Sequence, residues 1–161
     1  MENEIKLNLG SGYKPKKNYI NIDCVQLVDP KMGNMVDLIL DLEKDKLPFE
    51  DNSVDEILAE NILEHIENLK LLMNECNRVL KPDRKLIGIV PIAGSNASFK
   101  DPTHKRFFVL DTFTYFIGEH THFKNKPSRP KYADYGFIAW DYDYIKKDEN
   151  EDLINFSLKK K

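Results

Sequence analysis

The stretch Leu7-Asn8-Leu9-Gly10-Ser11-Gly12, followed by Tyr19-Ile20-Asn21-Ile22-Asp23, decides how this chain is read. Residues Ile5 to Leu9 alternate apolar and polar and then meet Gly-Ser-Gly, the pattern of a short strand ending in a tight turn. Glycine lacks the Cβ that would hold a ligand away from the backbone, so Gly10 and Gly12 suit a turn on which a ligand rests. The alternation resumes at Tyr19 and ends at Asp23, an acid placed to accept hydrogen bonds from the two hydroxyls of a ribose. Between them, Tyr13 to Asn18 leaves room for a loop or one turn, not a full crossover helix.

Outward from this pair, further strands are expected at Val36–Leu40, ending at Asp41, and at Val54–Ala59, ending at Glu60 and Asn61. From Glu67 to Lys81, Leu69, Leu72, Met73, Cys76, Val79 and Leu80 recur at helical spacing, and Pro82 is expected to stop that helix. Lys85–Val90 reads as a fifth strand, closed by Pro91. Ala93 to Tyr132 mixes Gly, Ser, Pro and aromatics and reads as a long excursion with one short helix near Asp111–Ile117. Gly136–Ile145 and Leu153–Leu158 form a terminal antiparallel pair around a loop at Lys146–Asp152, and Lys159-Lys160-Lys161 reads as a solvated tail. The expectation is an α/β fold with a Rossmann-like, mostly parallel sheet, a C-terminal antiparallel hairpin and a reduced helix between strands one and two.

A chain of 161 residues with 41% hydrophobic and 32% charged residues suits one soluble domain over 1–161. Its net charge of -3 gives no strong nucleic-acid signal. The N-terminus shows no signal peptide and no segment long enough to span a membrane, so a cytoplasmic location is expected. Cys24 and Cys76 lack metal-ligand spacing and read as buried thiols.

The order of these pieces resembles the class I S-adenosylmethionine-dependent methyltransferases. The resemblance runs from Leu7 to Pro91, through the glycine turn, Ile20–Asp23, Asp41-Leu42, Leu47–Asp55, Ile62-Leu63-Glu64-His65 and Asn77–Pro82. It is nearest to small predicted methyltransferases of the type 11-like kind, with strand two close behind a shortened glycine loop. It implies S-adenosylmethionine as cofactor, with Gly10, Ser11 and Gly12 beneath its methionyl part and Asp23 on its ribose. Asp41 with Leu42 would receive the adenine, and Glu60 and Asn61 would border the sulfonium and the substrate's approach. The chain departs from the family at Lys14, where a third glycine is common, and at Asn8, where an acid often stands. The terminal hairpin would be the family's sixth and seventh strands.

Asp101 and His104, just after the fifth strand, lie where related enzymes build the acceptor pocket. His104 is the acid/base candidate, since histidine titrates near neutral pH; the alternative is a loop histidine hydrogen-bonded to Asp101. His65 reads as a structural histidine. His120 and His122 with Asp101 and His104 have no supporting metal-ligand spacing, so no metal is expected. Phe107, Phe108, Phe113, Tyr115, Phe116 and Phe123 would wall a substrate pocket or fill the core.

Methyl transfer to an unidentified acceptor, whether small molecule, sugar or protein, is therefore expected; a non-catalytic adenosyl-binding or scaffold protein of the same fold is the alternative. A nicotinamide enzyme is disfavoured because Pro15 stands in the third glycine's place. With strand one starting by Ile5, cover for the cofactor is expected from Ala93–Tyr132 or from a partner, and a homodimer or a large acceptor fits that need.

Overall fold

A computed structural model describes residues 4–117 and 136–161. Its main element is a seven-stranded sheet in the order β5-β2-β1-β6-β7-β9-β8. The strands are β1 (Lys6–Leu9), β2 (Ile20–Asp23), β5 (Leu38–Ile39), β6 (Val54–Glu60), β7 (Leu80–Pro91), β8 (Trp140–Lys147) and β9 (Leu153–Lys160). β5, β2, β1, β6 and β7 run parallel, and β9 and β8 close the sheet antiparallel. From β1 the chain moves first to one side and then, through β6, to the other. The carboxyl ends of β1 and β6 therefore flank a switch point, where open α/β sheets hold ligands.

Register carries the hydrophobic pattern across the sheet. Leu7 pairs with Ile57, Ile57 with Leu86 and Leu86 with Leu158, giving a row of fully buried side chains. Each contributes about 1.5–3 kcal/mol by leaving water. Helix α1 (Leu69–Val79) adds its stripe of Leu69, Leu72, Met73, Cys76 and Val79 to this core. The buried Phe108, Phe113 and Phe116 join it as core residues, Phe113 lying 4.8 Å from Phe156, whereas Phe107 and Tyr115 are exposed.

Several boundaries differ from expectation for physical reasons. α1 ends at Val79, before Pro82, because Lys81 precedes a proline and is disfavoured in the α region; Leu80 is already extended and pairs with Val54. Lys159 and Lys160 are strand residues rather than a solvated tail. The Lys160 ammonium donates to Asn52 Oδ1 (2.7 Å), Leu80 O (2.9 Å) and Arg78 O (3.3 Å), capping carbonyls at the end of α1. Cys24 is exposed; only Cys76 is a buried thiol. The first arm of the terminal hairpin starts at Trp140 rather than Gly136. The short helix near Asp111 is a 3-10 turn over Leu110–Tyr115, and a further helix, α2 (Asn96–Phe99), is capped by Ser95. A small hairpin, β3 (Val28–Asp29) and β4 (Gly33–Asn34), stands between β2 and β5. His120, His122 and Phe123 lie outside the described residues.

Two ionic clamps hold the approach to the site. Asp55 accepts from Ile5 N (3.0 Å) and from the Lys81 ammonium (2.9 Å), joining β6 to β1 and β7. Arg78 donates to Glu75, to Leu47 O and Phe49 O, and to Asp51, fastening the turn that leads into β6.

Candidate functional site

At the switch point the chain leaves β1 through Gly10 (φ 61°) and Gly12 (φ 52°), both left-handed. A Cβ on Gly10 would stand 2.6 Å from Ile62 Cδ1, while one on Gly12 would meet nothing within 4 Å. Gly10 thus packs on the segment after β6, and Gly12 borders open space. The turn is tied to β2: Ser11 N–H donates to Ile22 O (3.0 Å), and Gly12 N–H donates to Asp23 Oδ2 (2.9 Å).

No helix intervenes between Gly12 and β2. Polar side chains hold the loop in its place. Asn8 Nδ2 donates to Asn21 Oδ1 (2.9 Å), which also accepts from Lys16 N–H (2.7 Å), and Asn21 Nδ2 donates to Asp37 Oδ2 (2.9 Å). Asn8 and Asn21 are buried, so these bonds satisfy groups that would otherwise be costly to desolvate. Tyr19 Oη donates to Glu56, and burial, helped by that contact, pushes the phenol up to about 12. Lys16 reaches Glu60 at 3.0 Å and closes the loop onto the end of β6.

Asn8, Gly10 to Lys14, Glu60 and Asn61 line a cleft of about 330 Å³ beside the turn. That is within the size range of small-molecule sites. The buried Ser11 Oγ in its wall has no hydrogen-bond partner among the described residues. Of the expected cofactor residues, Gly10, Ser11, Gly12, Glu60 and Asn61 line this cleft, and Asp23 is bonded to its rim. Asp41 and Leu42 are not among the lining residues. Asp41 caps its own turn: Oδ1 accepts from Glu43 N–H and Oδ2 from the Lys44 ammonium, which draws its carboxyl below the usual range. The Leu42 side chain is core.

A second polar group follows directly after Asn61. Ile62 packs under Gly10, and a 3-10 turn over Leu63–His65 presents Glu64 and His65. Lys105 N–H and Arg106 N–H both donate to Glu64 O (2.8 and 3.0 Å), bringing the segment 101–106 alongside. His104 Nδ1 contacts Ser98 O at 2.9 Å, and its Nε2 lies 3.9 Å from Glu64 Oε1. The rings of His65 and His104 meet edge to face at 4.7 Å.

Asp101 Oδ1 accepts from Thr103 N–H (2.8 Å) and Thr103 Oγ1–H (2.7 Å), and Thr103 Oγ1 lies 3.0 Å from His65 Nδ1. The carboxylate facing the His104 ring nitrogen is therefore Glu64, while Asp101 reaches His65 through Thr103. Glu64 is 1% exposed and neither carboxylate oxygen has a hydrogen-bond partner among the described residues. Burial pushes its carboxyl up to about 7, and burial beside His104 lowers the His65 imidazole. The expected pair of Asp101 and His104 is thus joined by Glu64 and His65. Leu63-Glu64-His65 carried the signal, but nothing in the local pattern linked it to residues some forty positions on.

The strand order, the glycine turn and the acid closing β2 define the class I methyltransferase fold. Residues 18–88 match the family described as Methyltransferase domain, in agreement with the type 11-like resemblance. The fold is shared with a chain of a complex between the Haloferax volcanii Trm112 methyltransferase activator and a methyltransferase (TM-score 0.61, 14% identity, 98% of this chain and 83% of that one). It is shared also with a SAM-dependent methyltransferase from Archaeoglobus fulgidus (TM-score 0.60, 13% identity, 99% and 87%). A Sulfolobus solfataricus protein described as a type 11 methyltransferase matches with TM-score 0.58 and 16% identity over 99% and 85%. In sequence, an uncharacterized protein of Methanocaldococcus jannaschii is 52% identical over 44 residues, a match spanning 27% of this chain and 19% of that relative. No helix of the described residues is long and apolar enough to cross a membrane.

Proposed function

We propose that this chain, acting as one domain over residues 1–161, binds S-adenosylmethionine in the cleft beside Gly10–Gly12 and transfers its methyl group to an acceptor arriving along the carboxyl edge of the sheet. The observation that carries the reading is the Gly12–Asp23 hydrogen bond at the switch point, which joins a turn with glycine at two of its three positions to the acid that closes β2. The unpartnered Ser11 Oγ fits a polar ligand in the same wall.

The cofactor supplies a methyl already activated on a sulfonium, so the chain's task is alignment and exclusion of water. Gly10, Ser11 and Gly12 let the backbone approach the methionyl part; Asp23 Oδ2 holds Gly12, and Oδ1, which accepts Val25 N–H at 3.4 Å, keeps a second lone pair for a ribose hydroxyl. Backbone at Asp41 and Leu42 receives the adenine. Glu60 and Asn61 flank the path by which the acceptor reaches the methyl. Where that acceptor must lose a proton, His104 takes it, with Glu64 facing the ring and Asp101 orienting His65 beside it. The acceptor is a small molecule, a sugar or a protein group. Cover for the cleft comes from the segment 93–132 or from a second polypeptide, either a copy of this chain or an activator of the kind named with the Haloferax structure.

One observation favours the non-catalytic alternative. Both Asp41 oxygens are engaged within their own turn, so a hydrogen bond that would help fix the adenine is missing. Calorimetry tests the cofactor binding that both readings require. S-adenosylmethionine and S-adenosylhomocysteine should both bind, and Asp23→Ala should weaken them by about 1–3 kcal/mol, the cost of leaving a polar group unpaired. No binding at millimolar ligand would sink the proposal, and unchanged affinity in Asp23→Ala would reject the ribose assignment. Methylated product from an acceptor screen separates an enzyme from a binding protein.

A further inference from the structure

We propose that Glu64, His65 and His104 form a binding site for one divalent transition-metal ion of the zinc type. One ligand-capable atom from each of the three lies within 4.8 Å of the other two. The hydrogen-bond network assigns the state of each ring. Ser98 O can only accept, so His104 Nδ1 carries the proton and its Nε2 presents a lone pair toward Glu64. The Thr103 hydroxyl donates its one proton to Asp101 Oδ1, so it accepts from His65 Nδ1, leaving His65 Nε2 with the lone pair.

Glu64 completes the set with two buried oxygens that no donor reaches among the described residues. The nearest cations are occupied elsewhere. Lys105 pairs with Glu43, and Arg106 donates to Ile66 O and Glu67 O. The Glu64 oxygens and His104 Nε2 thus face each other with no donor between them among the described residues, and a ring nitrogen of His65 lies within 4.8 Å of both. A proton on Glu64 does not resolve this, because the 3.9 Å from Oε1 to His104 Nε2 exceeds hydrogen-bonding distance. An ion bonded at about 2.0–2.2 Å to each atom bridges such a separation.

Two imidazoles and one carboxylate select zinc-like ions over magnesium or calcium. The surroundings are also those of a metal site, since each ring's other nitrogen is held by a carbonyl or by a hydroxyl–carboxylate relay. Three protein ligands leave one coordination position open. When the ion is bound, Glu64 and His104 are ligands, so the proton-accepting role given to His104 above belongs to the ion-free chain.

The test is equilibrium dialysis of the full chain against Zn2+ alone, in a Cys24→Ser background to remove the exposed thiol. With no S-adenosylmethionine present, failure of the methyl-transfer reading leaves the result intact. One ion per chain is expected, with Glu64→Gln and His104→Gln each weakening binding at least tenfold and Thr103→Val weakening it about tenfold through His65. Co2+ in place of Zn2+ should give visible absorption without a thiolate charge-transfer band. Should Glu64→Gln fail to fold, Thr103→Val and the Zn2+-induced rise in melting temperature of the parent carry the decision. Absence of saturable binding at high micromolar Zn2+, or affinity unmoved by the variants that fold, overturns the site.

Discussion

Replacing Gly10 by alanine separates the two reasons a glycine stands there. The left-handed φ of 61° costs a residue with a Cβ about 1–2 kcal/mol. The added methyl would also lie 2.6 Å from Ile62 Cδ1, 2.7 Å from Cγ1 and 2.9 Å from Cβ. Contact with the Ile62 Cβ means that rotating that side chain gives no escape, and overpacking of this kind costs about 1–3 kcal/mol. Gly12 supplies the control, because its φ is 52° but a Cβ there meets nothing within 4 Å. Urea unfolding should therefore place Gly12→Ala about 1–2 kcal/mol below the parent and Gly10→Ala about 2–5 kcal/mol below it. Adding Ile62→Ala removes the Cγ1 and Cδ1 contacts but keeps the Cβ one, so it should relieve part of the packing cost, giving a favourable coupling of up to about 1–3 kcal/mol in a double-mutant cycle. Equal losses for the two alanine variants, or no coupling to Ile62, would refute the packing of the turn against the segment after β6.

Asp55→Asn should destabilise the fold by about 1.5–3 kcal/mol, the value of hydrogen bonds to a charged group, read as a shift in urea midpoint. Burial opposes ionisation of Asp55, but the Lys81 ammonium, Ile5 N–H and Arg84 outweigh it and hold the carboxyl below its ordinary value. A depressed folded value means the contribution is fully present above the unfolded value near pH 4 and lost as pH falls through the folded one. The gap between parent and Asp55→Asn should accordingly hold at neutral pH and shrink in acid; a gap that widens in acid would be the wrong sign. Lys160→Met should cost about 1 kcal/mol by uncapping the carbonyls at the end of α1, with thermal melting as the readout.

The glycine turn was legible because its signal is local: alternation into Gly10, left-handed positions at Gly10 and Gly12, and an acid where β2 ends. The missing helix between β1 and β2 was legible too, from the few residues between Gly12 and Tyr19. What replaces it was not, since the Asn8–Asn21–Asp37 network joins three segments and looks in sequence like ordinary polar positions in strands. The same holds for Glu64. Its neighbours in sequence suggest a turn, and only tertiary contact through Lys105 and Arg106 sets it opposite His104. Asp41 reads as a ligand-facing acid by its place at a strand end, but Glu43 and Lys44 capture it locally. The terminal lysines misled for a related reason: their charge suggests solvent, whereas β9 directs the Lys160 ammonium onto backbone carbonyls.

An adenosyl cofactor resting on the glycine turn would touch the backbone amides of Gly10 and Gly12. Glycine amides resolve well in a proton–nitrogen correlation spectrum, and Gly33, Gly94 and Gly136 lie away from the cleft lining and serve as internal references. Titration with S-adenosylhomocysteine is predicted to shift the amides of Gly10 and Gly12 along a saturable curve, with the three reference glycines unmoved. Saturable binding that leaves Gly10 and Gly12 in place, or no binding, would contradict the account.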